Sequence, residues 1–211
     1  MSLSGGRRVA SILLIAPADP GMPRALAAVA QALQNRCPSQ HSITSLHGTA
    51  ADRATVDKEL PTHDVVLYLG HGQRDSLGTS GLPLVDIANE PHVQEILIAV
   101  ACHAGAGLGP HHFGQSTTRA FLGFDTYLIH PAKAFSRAND VYEQTLAGLL
   151  SGATLDDLSN DLRSEFPKAA KDYLDKRVSY GLARGEALSC FAGLRSNVLA
   201  IQSLGATQKT V

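Results

Sequence analysis

Three short, largely apolar runs constrain this chain most: Val9 to Ala16, Asp64 to Leu69 and Glu95 to Cys102. Each is too short for a packed helix or a membrane span, and each is apolar at consecutive rather than alternate positions. That pattern belongs to strands buried on both faces, as in a parallel sheet covered by helices. The segments between them agree. From Met22 to Arg36, Leu26, Val29, Ala30 and Leu33 recur at helical spacing before Pro38 stops the segment. His41 to His47 reads as another strand and Ala51 to Leu60 as a more polar helix. The β-α-β-α order predicts a three-layer α/β/α domain around a mostly parallel sheet of about six strands, with the first strand at its centre.

Farther along, the sequence predicts a helix over Ser116 to Gly123, a fifth strand over Thr126 to Ile129, and helices over Asn139 to Leu150 and Thr154 to about Tyr173. A sixth strand is expected around Asn197 to Ile201. Residues 73–91 mix Gly, Ser, Pro and Asp, and read as a functional loop with one short helical turn.

The 211 residues suffice for one real core, and neither a repeat nor a linker divides them, so a single domain over 1–211 is expected, with a frayed tail at 207–211. Eighteen Lys and Arg balance nineteen Asp and Glu. No global field therefore draws the chain to nucleic acid or to an anionic membrane. The three cysteines, Cys37, Cys102 and Cys190, are odd in number and lack paired metal spacing, which fits a reducing, cytoplasmic setting.

Chemistry concentrates where two strands end. One runs into Gly70-His71-Gly72 and the next into Ala101-Cys102-His103-Ala104-Gly105. In open α/β sheets, reacting groups sit at the carboxyl ends of the strands, where the sheet holds the backbone and leaves the side chain facing a crevice. A thiol needs a base to become a nucleophile, and an imidazole on the neighbouring strand supplies one. His71 and Cys102 are therefore the candidate catalytic pair. The N–H groups of Gly72 and Cys102 are the candidate oxyanion donors, because a glycine beside the base lets backbone approach a substrate carbonyl. Neither a cofactor nor a metal is needed for this chemistry. Cys37 and Cys190 lack partner motifs and read as structural. His103, His111 and His112 with Cys102 make a poor zinc set, since adjacent histidines are expected to point apart.

Other cysteine and nucleotide chemistries fit less well. A cysteine phosphatase loop requires Arg six residues after the nucleophile, where Leu108 stands. An α/β-hydrolase elbow requires glycines at the positions of Val100 and Ala104. The first strand is followed by Ala16-Pro-Ala-Asp-Pro-Gly21 rather than a dinucleotide-binding glycine pattern.

The Gly70-His-Gly72 and Ala101-Cys-His-Ala-Gly105 segments, on consecutive strands in this order, resemble the caspase-like cysteine peptidases, and in particular the CHAT domain. The likeness is clearest over residues 64–160. It extends to the helix pair carrying Tyr142, Leu146, Leu149, Gly152 and Leu155, and departs from the usual pattern at Ala104 and at His130-Pro131. The resemblance implies a cysteine endopeptidase with His71 as general base, Cys102 as nucleophile and Gly72 as oxyanion donor. It implies a protein or peptide substrate, with Arg74, Asp75 and Asp86 as candidate substrate-binding residues. It also implies control by a regulatory partner or sensor subunit, as in bacterial effectors of defence or cell death. The competing expectation is an inactive caspase-like module that serves as an interaction scaffold.

Overall fold

The computed structural model describes residues 10–17, 22–79, 82–131 and 135–208. Val9, at the start of the first apolar run, and the end of the tail from 209 lie outside them. Six strands form the main sheet: β1 (Ser11–Pro17), β2 (Ser42–Gly48), β3 (Val65–Leu69), β7 (Ile96–Val100), β8 (Ala120–Phe124) and β9 (Ile201–Gly205), in the order β2-β1-β3-β7-β8-β9. All neighbouring pairs are parallel except β8 with β9. The first strand is thus one place in from the edge. The centre belongs to β3 and β7, the two strands that carry the Gly-His-Gly and Ala-Cys segments.

The continuous apolar runs follow from burial on both faces. Along β1, Ile12, Leu14 and Ala16 join one core, while Leu13 and Ile15 join the other. The first core lies under four helices: α1 (Met22–Arg36), α4 (Ser136–Leu150), α5 (Leu155–Asp175) and α6 (Arg184–Ala200). The second is covered by α2 (Arg53–Glu59), α3 (Leu108–Gly114) and a small antiparallel sheet. The result is the expected three-layer α/β/α sandwich.

Four segments differ from their sequence expectation, each for a physical reason. Residues 73–91 hold the small sheet, β4 (Gly72–Gln73), β5 (Ser76–Thr79) and β6 (Leu82–Asp86), as well as a 3-10 turn at Glu90–His92. Its strands are too short for alternation to register, and Leu77 and Val85 are buried by packing on the main sheet. Over Ser116–Gly123 the chain forms not a helix but the fully buried β8; the helix comes earlier, as α3. Thr126–Ile129 is not a strand, because its backbone bonds to side chains and to the loop after Cys102 rather than to a ladder. Finally, most of the last apolar stretch belongs to α6, and only Ile201 onward turns into β9. Gly185, Ser189, Gly193 and Asn197 weaken the helical signal there, and packing against α5 supplies what intrinsic propensity lacks. At the tail, Thr207 is held, its carbonyl accepting from the Asp156 N–H at 3.2 Å.

A buried ionic knot joins the 3-10 turn to α3. Glu90 and His112 are both fully buried, and the Nδ1 atoms of His111, at 2.6 Å, and of His112 both reach the Glu90 carboxylate. Arg119 adds a contact at 3.3 Å and donates to the Pro91 carbonyl at 2.6 Å. The two histidines therefore converge instead of pointing apart, because the two oxygens of one carboxylate can serve both rings. Among the described residues, no group of three or more His, Cys, Asp or Glu side chains is arranged to hold a metal ion.

Candidate active site

The register of the central strands ends the two strands that precede the candidate residues in step. β3 pairs with β7 so that Leu69 faces Val100, and the Gly70 N–H donates to the Val100 carbonyl at 3.2 Å, which extends the pairing past the strand end. Two residues beyond Leu69 and Val100 stand His71 and Cys102. Leu69 and Val100 share the α1/α4 face of the sheet, and Cys102 packs against that same core. Next along, a Cβ on Gly72 would lie 2.5 Å from the Cys102 carbonyl oxygen and 2.7 Å from the Ala101 Cβ. Only glycine permits so close an approach.

The hairpin after His71 directs the Gly72 amide. The Gly78 N–H donates to the His71 carbonyl at 3.0 Å, and Gly72 lies opposite Leu77, one step along the ladder. In an antiparallel pair, alternate residues turn their N–H groups away from the partner strand, so the Gly72 N–H faces away from β5. Among the described residues, neither Gly72 nor Cys102 donates its amide to a backbone carbonyl outside the ladders.

Two braces hold the loop that follows Cys102. On one side the Leu108 N–H donates to the Arg74 carbonyl at 2.8 Å, and a Cβ on Gly107 would collide with the Asp75 carboxylate. Exposed Asp75 thus sits at the junction of the two loops. On the other side, the His103 N–H donates to the Thr126 carbonyl at 2.9 Å and the His103 ring meets Tyr127 edge-on at 4.3 Å. His103 itself has φ +58°, a left-handed conformation unusual outside glycine, and this turns the chain sharply behind Cys102. Asp86 occupies a different position. Its two oxygens accept from Arg53 at 2.7 and 3.2 Å and from the Ala88 amide at 3.0 Å, tying the end of β6 to α2.

The Cys102 sulfur accepts from the Leu128 N–H at 3.3 Å. Burial pushes its thiol above the ordinary value, while the Leu128 amide and its own N–H oppose the rise. Tyr142 is fully buried beside it, its hydroxyl without a hydrogen bond and its ionisation pushed well above normal, chiefly by burial and then by the Cys102 charge. His130 stacks on Tyr142 at 6.2 Å and bonds Asn139 at 3.0 Å, and burial lowers its pKa. Among the described residues, no hydrogen bond joins the half-buried His71 ring to Cys102. A cavity of about 430 Å³ lies nearby, between α6 and the 129–131 segment, with Leu182, Glu186 and Cys190 in its wall.

The Leu128 amide, Tyr142 and the support behind the 126–131 segment were not assigned site roles from sequence. Tyr142 was visible only as part of the helix-pair resemblance. Backbone amides carry no residue signature at all.

This architecture, with a six-stranded mostly parallel sheet flanked by helices, is consistent with a caspase-like fold. Among solved structures, the chain is similar to the Arg-specific cysteine proteinase gingipain R, with a TM-score of 0.55 at 14% sequence identity. The match covers 95% of this chain and 47% of that one, so the chain spans about half the length of the proteinase it resembles. No protein-family model matches the sequence, and no curated protein matches it either.

Proposed function

We propose that this chain is a cysteine endopeptidase of the CHAT type, in which Cys102 attacks the scissile carbonyl and His71 takes and returns the proton. The observation that supports this reading is the β3/β7 register, which ends the two central strands in step, two residues before His71 and Cys102. The Cys102 sulfur bonds to the scissile carbonyl carbon of the substrate as the thiol proton passes to His71; collapse of the tetrahedral adduct breaks the C–N bond and expels the amine, which takes that proton. Water then hydrolyses the thioester with His71 again as base. The amides of Gly72 and Cys102, which among the described residues donate to no backbone carbonyl outside the ladders, suit the developing oxyanion.

The sulfur rests on the Leu128 amide rather than on the His71 ring, so attack requires the thiol to rotate toward the base. This arrangement favours a regulated enzyme, switched by a regulatory partner or sensor subunit, as in effectors of bacterial defence. It also keeps alive a second reading, an inactive scaffold in which Cys102 never leaves its resting contact.

A diverse peptide library, incubated with wild type and with Cys102→Ala in the presence and absence of proteins encoded beside it, separates the two. Cleavage that disappears in the variant establishes the peptidase; no cleavage under any condition moves the protein to the scaffold class.

The acidic residues then divide by task. Asp75, exposed between the two loops, suits recognition of a basic substrate side chain. Asp75→Asn is expected to erode any preference for Arg or Lys without changing stability. Asp86→Asn is expected to leave preference intact and to lower stability by about 1 kcal/mol, since it loosens a half-exposed bidentate pair with Arg53. Cleavage profiling and urea unfolding of both variants check the division.

In the described residues no helix is long and apolar enough to cross a membrane. The near-neutral charge balance favours a protein or peptide partner over nucleic acid.

A further inference from the structure

The segment that holds the Cys102 sulfur has no strand beside it among the described residues, and beyond the His103 brace its support comes from one face of α6. Asn197, 0% exposed, accepts from the Ile129 N–H at 2.8 Å and donates to the Ile129 carbonyl at 2.8 Å. A single side chain thus satisfies both backbone groups of Ile129, as a neighbouring strand would. One turn earlier on the same face, a Cβ on Gly193 would stand 2.2 Å from Ile129 Cγ2, so the glycine leaves the notch that the isoleucine side chain fills. Residues four apart lie over one another on a helix, so Gly193 and Asn197 form one receptor for one residue. The residue before Ile129 is Leu128, whose amide points at the Cys102 sulfur.

We propose that Asn197, with Gly193, is a positioning residue for the nucleophile: it docks Ile129 on α6 and so aims the Leu128 amide at the Cys102 sulfur. The inference rests on the peptidase reading only in calling Cys102 the nucleophile. A buried amide side chain is costly unless both of its ends are bonded, and here both are used on one residue of an otherwise irregular segment. The N–H so aimed stabilises the thiolate form of Cys102 against the burial that opposes it. The contact is worth most when the sulfur carries charge, which makes the clamp a device for tuning the thiol as well as a brace.

The test follows alkylation of Cys102 by iodoacetamide as a function of pH, read by mass spectrometry on the peptide carrying Cys102, with Cys37 and Cys190 as internal references. Asn197→Ala removes both bonds; Gly193→Ala fills the notch and pushes Ile129 out while leaving the Asn197 side chain intact. Each is expected to raise the Cys102 titration midpoint by about one pH unit, equivalent to roughly tenfold slower labelling at neutral pH, with the reference cysteines unchanged. An unchanged Cys102 midpoint in the folded variants overturns the proposal. Hydrogen exchange on the wild type gives a check that no variant's folding can spoil: the Leu128 and Ile129 amides should exchange as slowly as those of α6, and exchange at loop rates would equally sink the clamp. Because thiol labelling does not need turnover, absence of peptide cleavage would strike the peptidase reading and leave this result standing.

Discussion

His71→Ala is expected to lower kcat/KM for peptide cleavage by about 10²- to 10⁴-fold, and Cys102→Ala to abolish it. The large effect of the histidine follows from the state of the thiol. Burial holds the Cys102 proton more tightly than in a free cysteine, so at neutral pH the sulfur is a thiol and not a preformed thiolate. A nucleophile in that state depends on a base within reach, and the proposed base is His71, which follows β3 as Cys102 follows its neighbour β7. The pH profile gives a second signature. Without the imidazole, residual cleavage depends on ionisation of the thiol itself and should climb continuously into the alkaline range. Steady-state rates over pH 6–10, the whole range resting on the ordinary cysteine pKa of about 8.5, measure this. A His71→Ala enzyme that keeps wild-type activity and pH dependence would remove the dyad from the mechanism.

The second large effect falls far from the chemistry. Glu90→Ala is expected to cost about 3–5 kcal/mol of stability, because it strips the counter-charge from Arg119 and the hydrogen-bond acceptor from fully buried His112. For a chain of this size that corresponds to a fall of roughly 10 °C in Tm. The pH dependence has a definite sign. Burial raises the Glu90 pKa, but its bonds to His112 and His111 and the charge of Arg119 outweigh it, leaving the carboxyl below its ordinary value. A group depressed in the folded state contributes stability above its unfolded pKa of about 4.3, and that contribution is lost as pH falls through the lower, folded value. Wild-type stability should therefore fall more steeply with acid than that of Glu90→Gln. Thermal unfolding of both proteins between pH 7 and pH 3 tests the slope, and parallel curves would show that the knot carries no proton linkage. The knot joins the turn before β7 to the helix that follows the Cys102 loop, so it also fixes the site's frame from below.

The three expected outcomes at the site, in its substrate preference, in its thiol and in its base, are independent readouts. In the proposed mechanism, Asp75 governs which side chain enters, Asn197 the sulfur's surroundings, and His71 the proton.

Much of this was legible in the residues. Runs such as Ile96 to Val100, apolar at successive positions, can be satisfied only between two covered faces, and this alone dictates parallel strands between helices. Strands so placed end at a crevice, so a Gly-His-Gly and an Ala-Cys directly after two of them mark a candidate site without any coordinates. Local pattern failed where tertiary contacts replaced local ones. Thr126 to Ile129 has the β-branched and aromatic residues of a strand, yet its hydrogen bonds go to His103, to the Cys102 sulfur and to Asn197. Neighbours 23 to 68 residues away in sequence leave no periodicity to read.

The sequence by itself determined the sandwich, the strand ends that carry His71 and Cys102, and the glycine between them, because burial and backbone freedom are properties of residue type. Tertiary structure alone decided that Asp86 binds Arg53, that two adjacent histidines share Glu90, and that a buried asparagine on α6 stands in for a missing strand. Those outcomes depend on which polar groups meet once the core has closed. A polar side chain has many partners of equal chemistry along the chain, and only the packed fold chooses among them.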